Sequence, residues 1–168
     1  MKQLLFSILT LITINACGQG DKSKRPSPPA IVTETIESGV MVTIDYSQPS
    51  LKGRKIGTEI APFGEVWRTG ANEATVFEVN KDVKVEGQFL AAGKYGLYTI
   101  PGENEWVIIF NKTWKQWGTM YKEADDALRV EVKPGKMDTP SEKMTFVINN
   151  NGKVSLLWGD TEVVFKVK

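Results

Sequence analysis

From Ile31 onward apolar and polar residues alternate with a period of two, the spacing of strands that bury one face. Ile31, Thr33, Thr35 and Glu37 interleave with Val32, Glu34 and Ile36. Ser38-Gly39 then interrupts, and Val40, Val42, Ile44 and Tyr46 resume the alternation, so this segment predicts a hairpin. The same reasoning predicts strands over 66–69, 75–79, 83–86, 95–100, 106–111 and 128–132. The C-terminus reads as a three-stranded meander. Strands over 144–148, 154–158 and 163–167 are separated by Asn149-Asn150-Asn151-Gly152 and by Gly159-Asp160, both rich in turn formers. Helical periodicity is weak. Only Met120 to Leu128 offers two turns, with Thr119 as a cap, and an irregular loop exposing Asp125 and Asp126 fits equally well. About ten short strands at turn spacings of about 8 to 12 residues predict an all-β domain, an antiparallel β-sandwich of jelly-roll kind or a flattened barrel.

The alternation does not reach the N-terminus. There, Lys2 precedes an apolar run from Leu4 to Ile14, interrupted by Ser7, Thr10 and Thr13. A run this short suits the hydrophobic region of a removable signal peptide, because a permanent span needs about 20 apolar residues. Ile14-Asn15-Ala16-Cys17 resembles a lipobox, with an aliphatic residue three before the cysteine and a small one directly before it. Cys17 is the chain's one cysteine and has no disulfide partner, so lipid attachment accounts for it. The expectation is a signal peptide over 1–16, a lipid-anchored spacer over 17–30 and a single domain over 31–168. The spacer expectation rests on Gly, Ser, Lys and prolines 26, 28 and 29. Gly18 after the cysteine, where an aspartate is absent, favours an outer-membrane lipoprotein of the cell envelope.

Composition narrows the chemistry. Removing residues 1–16 from the 168 leaves 152, one domain by length. Losing Lys2 with them leaves 20 basic and 20 acidic residues, which gives no electrostatic case for nucleic acid. The chain has no histidine, so no Ser-His-Asp or Cys-His centre can form and the usual zinc ligand sets are missing. No phosphate-binding or dinucleotide fingerprint is present, and no metal or cofactor is expected. An acylated Cys17 is also no nucleophile. What remains is chemistry by carboxylate, Lys, Tyr or Arg. Glu65, Glu73 and Glu86 are the candidate carboxylates for a hydrolase acting on glycan or peptide.

One stretch stands out, Pro62-Phe-Gly-Glu-Val-Trp-Arg-Thr-Gly-Ala-Asn-Glu-Ala-Thr75. Two accounts of it stand side by side. In the first, Trp67 packs in the core, Gly70 takes a positive φ, Asn72 bonds its own turn and Arg68 pairs with Glu73. In the second, Arg68, Asn72 and Glu73 converge beside an aromatic surface and hold a polar ligand such as a glycan, a peptide or a small molecule. Of the five tryptophans, Trp67, Trp106 and Trp158 fall in predicted strands and belong to the core. Trp114 and Trp117 fall in a loop and are candidates for an exposed binding platform. A non-catalytic binding module is the leading functional expectation. Structural packing on a neighbouring envelope protein through the Trp114/Trp117 loop is the third, after hydrolysis.

The Val66–Thr75 run, together with Ser27-Pro28, Tyr46-Ser-Gln-Pro49, Lys52-Gly-Arg54, Gly87 to Pro101 and Trp158, resembles the domain-of-unknown-function family 2911. The resemblance covers nearly all of the chain after the leader. It implies a secreted or lipid-anchored protein of Gram-negative bacteria and brings no established activity with it.

Overall fold

The computed structural model describes residues 21–168; the leader, the lipobox and Cys17 lie outside the described residues. The described chain is all-β. In order, its strands are β1 (Pro29–Thr35), β2 (Met41–Ser47), β3 (Ile56–Gly57), β4 (Ile60–Pro62), β5 (Thr75–Val79), β6 (Val83–Val85), β7 (Gln88–Leu90), β8 (Gly93–Ile100), β9 (Trp106–Asn111), β10 (Asp126–Val132), β11 (Gly135–Ile148) and β12 (Lys153–Lys166). The segment Met120–Leu128 holds only a one-turn 3-10 helix, Glu123–Asp125, so the loop reading is the correct one there.

Two layers form a sandwich with no closed barrel. The first is a six-stranded antiparallel sheet ordered β1-β2-β5-β8-β9-β10. The second is built on β11 and β12. β12 is one run of strand, yet it doubles back: Lys153 Nζ and Ser155 Oγ both reach Glu162 Oε1, at 2.9 and 3.0 Å, and Val167 N donates to Gly152 O at 2.9 Å. An extended strand advances about 3.3 Å per residue and would hold these partners far apart. The reversal falls at Gly159-Asp160. Gly159, at φ +58, occupies the first central position, which a two-residue primed turn reserves for glycine. The predicted three-stranded meander is thus present. Its outer arm continues into β6 through the Val85–Val167 bridge and paired backbone bonds between Lys84 and Lys168.

Alternation translates directly into burial. β2 sends Val42, Ile44 and Tyr46 inward, β5 sends Phe77 and Val79, and β9 sends Trp106, Ile108 and Phe110. From the opposite layer come Met144, Phe146, Leu156, Trp158 and Phe165. Phe77, Phe110 and Phe165 meet at the centre with ring centroids 4.9–6.1 Å apart, and each such side chain contributes about 1.5–3 kcal/mol through burial. β8 and β9 read as nearly continuous apolar runs because both their faces are covered. On the outer face, Tyr98 and Ile109 form a second cluster with Ala74, under Tyr121 of the loop after β9.

The predicted strand over 66–69 is absent. Trp67 makes one isolated bridge to Thr99, and the backbone then turns into the left-handed region at Thr69 (φ +50) and Asn72 (φ +62).

Candidate functional site

Positive φ is uncommon for any residue with a side chain and a true outlier for a β-branched one. Thr69 nonetheless adopts it, fully buried. Its hydroxyl donates to Thr99 Oγ1 at 3.2 Å, and its carbonyl accepts from Thr75 Oγ1 at 2.9 Å. These bonds hold the strained turn to β5 and β8. Gly70 does not take the positive φ expected of it. It is required for close approach instead, since a Cβ there would lie 2.8 Å from Thr75 Oγ1 and 3.2 Å from the Ser47 carbonyl.

The turn sends its polar side chains in different directions. The ring of Trp67 stacks on Trp158, with centroids 5.3 Å apart and planes 13° apart, and stands edge-on to Trp106; it belongs to the core. Arg68 lies along the loop after β9, so close to Gly118 that a Cβ on that glycine would sit 2.2 Å from Arg68 Cδ. Its Nε is buried without a hydrogen-bond partner among the described residues. Asn72 donates from Nδ2 to the Ser27 carbonyl at 3.1 Å, not to its own turn. Glu73 does not pair with Arg68. It accepts from Arg25 Nη1 at 2.7 Å and lies 3.1 Å from Lys22 Nζ.

Asn72 and Glu73 therefore fasten the N-terminal segment to the sandwich. Residues within the stretch read as a spacer are engaged: Lys22–Lys24 form a 3-10 turn capped by Asp21, and Pro29 and Ala30 begin β1. A recess of about 310 Å³ lies between this arm and the sheet, bordered by Lys22, Arg25, Asp45, Glu73, Trp114 and Gln116. Burial there pushes the Asp45 carboxyl up from its ordinary value. Burial opposes ionisation of Glu73 too, but its own N–H and the Arg25 and Lys22 side chains outweigh that effect and hold the carboxyl at about 2.

A depressed carboxylate pKa stabilises the folded contact above the unfolded value, here 4.5, and the contribution is lost as the pH falls through about 2. Docking of the arm should therefore weaken between those limits. A carboxyl-resonance titration of Glu73 checks this, and a midpoint near 4.5 would contradict it. At neutral pH, Glu73→Gln should speed tryptic cleavage after Lys22 and Lys24 without unfolding the sandwich.

Trp114 and Trp117 both lie on the loop between β9 and β10, in unlike settings. Trp114 is half-buried, with Lys94 Nζ 5.4 Å from its ring centroid. Trp117 is 50% exposed. The base of this loop is stitched by Tyr121, whose hydroxyl donates to Asp126 Oδ2 at 2.7 Å, while Arg129 donates to both partners at 2.8 Å.

A larger concavity lies elsewhere, at the Gly159-Asp160 end of the sandwich. It is an open cleft of about 810 Å³ between the chain over 51–56, the β8–β9 turn, the start of β11 and the reversal of β12. Leu51, Ile56 and Trp106 line it with apolar surface, Phe63 contributes an aromatic ring, and Arg54, Lys55, Lys136, Glu103 and Asp160 supply charge. The Arg54 guanidinium is aimed by bonds to the carbonyls of Leu51 and Ser50 at 2.9 and 2.8 Å. Lys136 lies 3.5 Å from Asp160. None of these residues stands out in the sequence as a site residue, since they are scattered over strand ends and loops and their five segments meet only in the fold.

A family profile described as "Protein of unknown function (DUF2911)" matches residues 27–167. No curated protein and no solved structure gives a match.

Proposed function

The chain belongs to the DUF2911 family, and from that premise we propose that its domain is a non-catalytic binding module for a polar ligand, held at the cell envelope by lipid on Cys17. The observation that carries the binding reading is the cleft at the Gly159-Asp160 end. Its volume of about 810 Å³ lies within the range of about 300–1,000 Å³ typical of small-ligand sites. An apolar lining with a few convergent charges is the composition that holds and orients such ligands. Arg54, Lys55 and Lys136 outnumber Glu103 and Asp160 there, which favours a ligand carrying an anionic group, such as an acidic peptide or glycan fragment. The state of Glu73 supports the non-catalytic side. Its two oxygens are taken up by Lys22 and Arg25, in a contact that fastens the N-terminal arm.

The test is a thermal-shift screen of the full-length chain against peptidoglycan fragments, oligosaccharides and short acidic peptides. A true ligand at about 100 times its Kd stabilises by about 2.7 kcal/mol. Lys55→Ala and Phe63→Ala, on the cleft, should remove that shift while leaving the unliganded Tm nearly unchanged. No compound raising Tm, or a shift that survives both substitutions, would sink the reading.

A further inference from the structure

We propose that the face formed by the docked N-terminal arm, Trp117 and Met120 rests on the bilayer surface. This rests on the reading that Cys17 is lipidated. Three observations lead to it. The first is length. Asp21 belongs to the arm that Glu73 and Asn72 fix to the sheet, its side chain capping the Lys22–Lys24 turn. Four residue steps separate it from Cys17, and whatever their conformation they span at most about 14 Å. A lipid on Cys17 therefore enters the membrane close to this arm, and the domain cannot turn its far end to the bilayer while the arm stays docked.

The second observation is what surrounds that point. Glu73 and Trp117 form an antiparallel bridge flanked by Ala74 N to Gln116 O and Gly118 N to Asn72 O. That makes them a non-hydrogen-bonded pair, whose side chains leave the same face at closest approach. Trp117 thus stands beside the Lys22 and Arg25 cations that Glu73 holds. It is 50% exposed, and Met120, one turn further along the loop, is 60% exposed. The third observation is composition. An exposed indole and thioether among Lys22, Lys24, Arg25 and Lys115 is the mixture that membrane interfaces favour, with aromatic rings at headgroup level and long cationic side chains reaching for phosphate.

The experiment uses the full-length chain purified from membranes and reconstituted in phosphatidylethanolamine and phosphatidylglycerol vesicles with brominated acyl chains. Bromine should quench part of the tryptophan emission, and Trp117→Phe should abolish that quenched part, because the other four indoles are buried or half-buried. Glu73→Gln should at least halve the quenching while the protein stays in the membrane fraction. Mass spectrometry of the N-terminal peptide is run in parallel. Acylated Cys17 with no quenching, or with quenching that Trp117→Phe leaves intact, overturns the orientation and leaves the anchor standing. Unacylated Cys17 overturns the anchor and the orientation with it.

Discussion

Replacing Trp158 by alanine should lower the folding free energy by about 3–5 kcal/mol, the cost of emptying a fully buried aromatic site. Trp158 is 0% exposed and its ring is clasped by Trp67, which itself meets Trp106 at the cleft. The backbone around it has little freedom to collapse into the void. On one side the chain enters the Gly159 reversal, and a Cβ at that glycine would already touch Leu51 and Ile56 at 3.4 and 3.5 Å. A domain is stable by about 5–15 kcal/mol in total, so the variant should lose a large share of its stability. Urea denaturation reads the loss directly, and a loss below about 1.5 kcal/mol would mean that the stack contributes no more than an ordinary volume-conserving swap. Trp158→Phe is the informative companion. The indole Nε1 is buried without a hydrogen-bond partner among the described residues, so phenylalanine keeps an aromatic ring in the stack and removes an unsatisfied donor, which is a cost in the native protein. It should therefore lose far less than alanine.

The parts of the fold legible in the sequence are those where a local pattern and the tertiary demand coincide. β5 and β9 carry their alternation or apolar runs to the ends that their sequences imply, and the meander follows from Asn149–Gly152 and Gly159-Asp160 because turn geometry is set by those residues themselves. The chain over 66–69 has the composition of a strand but is overruled by Thr69, whose left-handed backbone is held by bonds to Trp67, Thr99 and Thr75. No propensity rule anticipates a buried threonine there. The fate of Glu73 was hidden for a different reason. Arg68 is its near neighbour in sequence, whereas its actual partner Arg25 is 48 residues away, brought in by the course of the N-terminal arm. The cleft is the extreme case, since it exists only where the bulges of β11 and the reversal of β12 open the end of the sandwich. In all three instances long-range packing decides what a side chain touches, and the local pattern of neighbouring residues does not carry that information.

Gly152→Ala should be nearly as damaging, at about 2–4 kcal/mol, and it tests the meander itself. Two effects combine at this residue. Gly152 adopts φ +83, where any L side chain meets its own backbone, at a cost of about 1–2 kcal/mol. A Cβ would also lie 2.0 Å from the Val167 carbonyl oxygen. That oxygen cannot yield cheaply, because Val167 donates its N–H to the Gly152 carbonyl at 2.9 Å and bridges to Val85. Moving it separates the outer arm of β12 from β6 on one side and from the turn on the other. Gly87→Ala supplies the control: φ there is +81, yet nothing lies within 4 Å of the added methyl group, so only the conformational cost remains. Chemical denaturation of the two variants separates the contributions. If both lose the same amount, the Val167 contact carries no weight and the outer arm of β12 is free to shift. If Gly152→Ala loses at least about 1 kcal/mol more, the overpacking term is present and the return of the C-terminus to this turn is a fixed part of the second layer.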